Sequence, residues 1–160
     1  MRRFLVVFVC LGAAYYAIAA TPWFLDTVQP AYLAVMARSA RFALAWFGVD
    51  ALASGTTLFA SGFAVDVRQG CDAIEPAALF IAALLAFPAT WRARLVGALI
   101  GVTVLQILNV VRIASLVRIG QTRPDWFETI HVEVWPPVFL VVTAAIWLGW
   151  AGIVTRGGRS

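Results

Sequence analysis

Three residues of this 160-residue chain carry the side chains of acyl transfer: the thiol of Cys71, the single imidazole at His131 and the guanidinium of Arg112. A thiolate attacks a carbonyl, an imidazole moves the proton, and a fixed cation stabilises the oxyanion. Each residue also has an ordinary explanation. Most cysteines in apolar helices are small inert side chains, the reading that fits Cys10, and an arginine near a helix end can snorkel. A lone histidine is more often structural. Cys71 differs from Cys10 because it stands at a Gly70-Cys71-Asp72 junction immediately before an apolar run. A helix N-terminus and a nearby arginine lower a thiol pKa, whereas Asp72 and Glu75 act the other way. Two cysteines are too few for a disulfide framework, and at different depths they cannot pair. One histidine and two cysteines are a poor donor set for a metal, so no metal or cofactor is expected.

The elements that would position these groups belong to a membrane protein. Hydrophobic residues make up 62% of the chain, charged residues 12%, and the mean hydropathy is +0.90; soluble domains are about 45–50% apolar and about 25% charged. The twelve basic residues are all arginine, and the pI is 9.8. They form no patch interleaved with aromatics, which argues against a nucleic-acid partner. The fold class expected is an all-α integral membrane protein of about four transmembrane helices, with an outer interfacial helix and a short β-hairpin. It forms a single membrane-embedded domain over residues 1–160.

The first span, about residues 4–20, follows Met1-Arg2-Arg3. Ala17-Ile18-Ala19 resembles a signal-peptide cleavage site, but the run is long and carries Tyr15 and Tyr16 late, so a retained anchor is favoured. Residues 31–48 contain Arg38 and Arg41 on one helix face, with Leu33, Met36, Phe42, Leu44, Trp46 and Phe47 supplying apolar area, as an interfacial helix would. Leu58-Phe59 and Phe63 to Val67 flank Ser61-Gly62 as a hairpin would. Further spans are expected at about 74–90, 95–117 and 131–153, with a polar loop from Arg118 to Glu128.

Arginine distribution orients the chain. With both termini cytoplasmic, Arg2, Arg3, Arg92, Arg94, Arg156 and Arg159 lie inside. All eight acids (Asp26, Asp50, Asp66, Asp72, Glu75, Asp125, Glu128 and Glu133) then lie outside or at the outer interface. A five-span arrangement with residues 31–48 crossing would invert this pattern. Arg112 lies about 27 Å along its helix from Arg94, near the outer surface of a core roughly 30 Å thick. An arginine within a span costs roughly 2.5–3.5 kcal/mol at the bilayer centre on insertion scales and is a functional candidate by default. Asn109, one turn deeper, cannot snorkel. Gly97 and Gly101 form a small-xxx-small pair suited to close helix approach. Topology thus brings Cys71, Arg112 and His131, from three different spans, to one depth.

Arg68-Gln69-Gly70-Cys71-Asp72-Ala73-Ile74-Glu75, then LLAFPATWRARLVG, then Leu108-Asn109-Val110-Val111-Arg112-Ile113, then His131 and Trp135 resemble the exosortase/archaeosortase family. The short four-span form is most like the exosortase H subclass. The resemblance implies a bacterial inner-membrane cysteine protease or transpeptidase with its active site on the periplasmic side. Its partners would be exported proteins ending in a sorting signal: a short motif, a transmembrane helix and a basic cluster. The resemblance puts the nucleophile on Cys71, the arginine on Arg112, the histidine on His131 and a positioning asparagine on Asn109. Many members carry Cys-Ser/Asn-Gly where this chain has Cys71-Asp72-Ala73. That departure bears on the charge and shape of the substrate cleft, for which Asp72 and Glu75 are candidate binding or positioning groups.

Two other readings compete. A non-enzymatic protein binding lipid headgroups or small anions through Arg112 and Asn109 explains the arginine but gives Cys71 and His131 no work. A scaffold assembling through Gly97 and Gly101 would tolerate changes at all three polar residues.

Overall fold

Helix breakers divide the apolar sequence into the elements of the computed structural model, which describes residues 2–157; Arg159, assigned above to the inner face, lies outside them. Helix α1 (Arg2–Ala19) stops before Thr21-Pro22, where the Thr21 hydroxyl accepts the Phe24 N–H at 3.3 Å. A π-helical turn (Phe24–Val28) leads into α2 (Gln29–Trp46). Strands β1 (Ala51–Ser54), β2 (Thr57–Ala60) and β3 (Phe63–Asp66) form an antiparallel sheet in the order β1-β2-β3. Its two-residue turns place Gly55 at φ 58° and Gly62 at φ 78°, left-handed values that glycine adopts without steric cost. Helices α3 (Ile74–Ala86) and α4 (Trp91–Thr122) follow. A 3-10 turn (Pro124–Trp126), α5 (Phe127–Thr129), a π turn (Ile130–Val134) and α6 (Trp135–Gly157) then make a nearly continuous helical path.

Four expectations change in detail. The hairpin is present as β2 and β3, but β1 extends it to a three-stranded sheet. The apolar strip of α2 is Leu33, Met36, Ala37, Ala40 and Leu44, while Phe42, Trp46 and Phe47 are exposed. The loop from Arg118 to Glu128 is mostly helical, because α4 runs on to Thr122 and helix resumes at Pro124. Three helical stretches, Arg2–Ala19, Trp91–Thr122 and Pro124–Arg156, are long and apolar enough to cross a membrane. The fourth, α3, has only 13 residues, about 20 Å. It ends where it does because Phe87 precedes Pro88 and is extended, with ψ 138°.

Helices α1, α3, α4 and α6 pack side by side, and their contacts define two ends. At one end Phe4 and Phe87 lie 5.8 and 5.7 Å from the Trp147 ring, and Phe87 lies 5.6 Å from Trp150. There the Trp150 indole donates to the Ala93 carbonyl at 3.0 Å, and Arg94 donates to the Phe87 carbonyl at 2.9 Å. At the other end Tyr16 donates to Glu75, and Arg112 reaches the turn before α3. Tyr32 of α2 donates to Gln106 of α4. The sheet, α2 and the upper half of α4 share a core around Leu44, Leu58, Ile113 and Val117.

The two glycines of α4 receive side chains of this same chain: Trp150 lies over Gly97 and Phe80 over Gly101. The surface that a scaffold reading would use for assembly is therefore filled from within. An added methyl at Gly101 overlaps the buried Phe80 ring, whereas one at Gly149 meets open space. Gly101→Ala is expected to lower the unfolding temperature in detergent, at an overpacking cost of roughly 1–3 kcal/mol. Gly149→Ala should hold or raise it, since alanine is the better helix former by about 1 kcal/mol. Equal behaviour of the two variants would refute the close packing of Phe80.

Candidate active site

The turn between β3 and α3 is built on Gly70, at φ 87°. Its left-handed backbone folds the chain so that the Cys71 N–H donates to the Arg68 carbonyl at 2.9 Å. The π turn before α6 carries His131 to the same place, with Cys71 Sγ and His131 Nε2 2.8 Å apart. Phe127 lies 5.7 Å from the imidazole ring. The two side chains come from segments 60 positions apart and lie within hydrogen-bond reach, the distance a nucleophile and its base need.

Arg112 approaches from α4. Its Nη1 donates to the Gly70 carbonyl at 3.2 Å, and its guanidinium stands 5.6 Å from the Phe139 ring centroid, within cation–π range. The side chain is 5% exposed, and its Nε has no partner among the described residues. The arginine therefore braces the residue before the thiol and keeps spare donors. Burial raises the Cys71 thiol pKa, and the Arg112 charge pulls it back down. Burial therefore disfavours the thiolate in the resting site, so proton removal by a neighbouring base matters.

The remaining candidates divide. Asp72 Oδ1 accepts the Ile74 N–H at 3.2 Å, capping the start of α3, while Oδ2 is buried without a partner among the described residues. Burial pushes the Asp72 carboxyl up. Glu75 accepts from the Tyr16 hydroxyl and so joins α1 to α3. Asn109 is 0% exposed, and neither amide atom has a partner among the described residues. It lies beneath Arg112 but touches neither Cys71 nor His131 through a hydrogen bond. Sequence reasoning missed Phe139 beneath the arginine, Tyr16 on Glu75, and Glu128, which shares a cavity wall with His131. The i, i+3 spacing of Glu128 and His131 was the available signal. Among the described residues no three of His, Cys, Asp and Glu converge to hold a metal.

Two cavities flank the Gly70–Asp72 turn. One, of about 360 Å³, is lined by β3, Cys71, Ile113, Leu116, Phe127, Glu128 and His131. The other, of about 480 Å³, begins at Gly70, Asp72, Glu75 and Arg112 and descends past Phe80 and Phe139 to Trp147.

The model of one protein family, described as transmembrane exosortase (Exosortase_EpsH), matches residues 2–149. The chain belongs to the transmembrane exosortase family. The match covers all the elements just described up to the last turns of α6, so the resemblance read over about Phe63 to Trp150 extends to nearly the whole chain. Membership and the three apolar helices make this exosortase a membrane protein. No curated protein and no solved structure matches it.

Proposed function

We propose that this exosortase is a membrane-embedded cysteine peptidase or transpeptidase that cuts the C-terminal sorting signals of exported proteins. The observation that carries this reading is the 2.8 Å approach of Cys71 Sγ to His131 Nε2, beside a buried arginine and between two cavities. His131 takes the thiol proton, and the sulfur attacks the scissile carbonyl to form a C–S bond. Arg112, with donors to spare, stabilises the tetrahedral oxyanion. The intermediate collapses by breaking the C–N bond, and the imidazolium returns its proton to the leaving amine. Water or an amine then resolves the acyl-enzyme. Asn109, buried one turn beneath, takes a positioning role from the resemblance of Asn109-Val110-Val111-Arg112 to the family motif and not from a hydrogen bond it makes. A protein that only bound headgroups or anions would have no use for the thiol–imidazole pair, and its second ligand, Asn109, is inaccessible.

The same reading extends to topology. The arginines at the Trp147/Trp150 end of the helices favour the cytoplasm, which puts Cys71 on the periplasmic side of the bacterial inner membrane with both termini inside. Helix α3, about 20 Å long, would make the fourth crossing packed between α1, α4 and α6, short of the ~30 Å core. Helix α2 lies at the outer interface with Phe42, Trp46 and Phe47 toward lipid, and the whole chain forms one domain. A membrane-impermeant maleimide applied to intact cells carrying only Cys71 should label it; labelling only after permeabilisation would reverse the orientation. The function itself is tested by coexpressing the chain with a tagged precursor ending in motif, apolar helix and basic cluster, taken from a neighbouring reading frame. Shortening of the tagged protein supports the peptidase, and an unchanged precursor rejects it.

A further inference from the structure

We infer that the free edge of β3 is a binding site for an extended peptide, which joins the sheet as a fourth strand and so delivers its carbonyl to Cys71. The inference rests on the peptidase reading for the identity of the bound chain, and on the sheet for the manner of binding.

The pairing pattern fixes which backbone groups are free. Thr57 pairs with Asp66, Leu58 with Val65, Phe59 with Ala64 and Ala60 with Phe63, and the Val67 N–H donates to the Thr56 carbonyl. Antiparallel pairs alternate between hydrogen-bonded and non-bonded, so Phe63, Val65 and Val67 turn their N–H and C=O groups toward β2. Ala64 and Asp66 turn theirs away. The opposite edge of the sheet shows what the fold does with such groups. Ala51 of β1 occupies the equivalent outward position, and its carbonyl accepts from Arg41 Nε at 3.1 Å. On β3 the outward groups of Ala64 and Asp66 have no backbone or side-chain partner among the described residues.

That edge faces the cavity of about 360 Å³ that ends at the thiol. Six successive residues, Phe63 to Arg68, line it. Side chains alternate between the two faces of a strand, so a cavity lined by every residue in turn lies along the backbone edge and not against one face. Ile113, Leu116, Phe127, Glu128 and His131 complete its lining. Side-chain contacts anchor the strand at both ends. Phe63 packs over Gly120 and 5.5 Å from Phe127. The Asp66 carboxylate is engaged by Thr56 at 2.8 Å and by Arg68 at 2.9 Å. The side chain of Asp66 is thus spoken for, and the strand offers the cavity its backbone donors and acceptors.

Main-chain pairing of this kind gives affinity with little sequence demand, while side-chain pockets add selectivity. The segment before the cut bond occupies this cavity, because the apolar cavity on the far side of the Gly70 turn leads down among the helices toward Trp147. That is the route for the membrane-spanning part that follows the cut. The peptide therefore runs in the same direction as β3, from Phe63 toward Cys71, and alternate residues bond to Ala64 and Asp66.

The test uses acetyl-tetraalanyl chloromethyl ketone on the full-length protein in detergent, with iodoacetamide as the reference reagent. The Cys71 thiolate displaces chloride from either the ketone or its N-methylated analogues. N-methylation at alternate residues should slow labelling at least tenfold, and at the intervening residues less than threefold. Ala64→Pro removes one outward N–H without touching the β2 ladder, a substitution that strand edges tolerate. It should abolish the advantage of the peptide ketone while leaving the iodoacetamide rate at Cys71 unchanged. If Ala64→Pro does not fold, the N-methyl pattern on the unaltered protein decides. Uniform sensitivity along the peptide, with precursor processing intact, overturns strand pairing and leaves the peptidase standing. The alternating pattern with no processing of any precursor upholds the peptide site and rejects the peptidase.

Discussion

Replacing Cys71 by alanine should abolish shortening of the tagged precursor, a loss on the order of 10⁴-fold or more, as expected when the nucleophile of a covalent mechanism is removed. The alternative route, water attacking directly with His131 as base, retains binding and oxyanion stabilisation only. Cys10→Ala is the matched control, because Cys10 is exposed on α1 and lines neither cavity beside the Gly70–Asp72 turn. Cys71 is partly exposed, and among the described residues its sulfur makes one side-chain hydrogen bond, to His131, and packs at the edge of the Leu44/Leu58 core, where alanine fits, so the alanine variant should accumulate and fold normally. His131→Ala should reproduce the loss without restoring it at any pH, since no other imidazole exists in the chain. Full processing by Cys71→Ala would remove the covalent mechanism outright.

The second large effect is expected at Arg112. Arg112→Gln should reduce processing by about 10²–10³-fold, the range found when one oxyanion donor is lost. It should also move the titration of Cys71. Burial raises this thiol and the Arg112 charge lowers it; without the charge, the pKa rises further. The pH profile for alkylation by iodoacetamide therefore shifts to higher pH, and at a fixed neutral pH the rate falls. Arg112→Lys keeps the charge but loses the planar donor fork, so it should preserve more of the titration than of the processing. An unshifted alkylation profile in Arg112→Gln would separate the arginine from the thiol.

How far the sequence revealed all this depends on the range of the interactions involved. The convergence of Cys71, Arg112 and His131 was legible, because hydropathy breaks and arginine placement alone assign each to the same end of the helices. That residues 31–48 form a helix was legible, but which face it buries was not: the strip runs through the small Ala37 and Ala40, and Phe42 and Trp46 are exposed. β1 was missed because Ala51-Leu52-Ala53-Ser54 has no β-branched or aromatic residue, and only pairing with β2 makes it a strand. The continuation of α4 was hidden by Arg118 and Gly120, which suit a loop; Gly120 is helical and gives Phe63 its seat. The Gly70 carbonyl as a partner of Arg112 spans 42 positions, and no local pattern encodes it.

The brevity of α3 has a consequence for how the protein is made. A helix about 20 Å long is shorter than a bilayer core of roughly 30 Å, so α3 alone would not cross one. Its C-terminus is tied to the next helix by the Arg94 bond to the Phe87 carbonyl, and its Phe80 ring lies over Gly101. In the proposed four-span arrangement α3 and α4 would then enter the membrane as a pair, the short helix completed by its contacts with the long one. Because Cys71 lies just ahead of α3 and Arg112 lies on α4, pairing of these two helices also brings the thiol and the guanidinium to one end of the molecule.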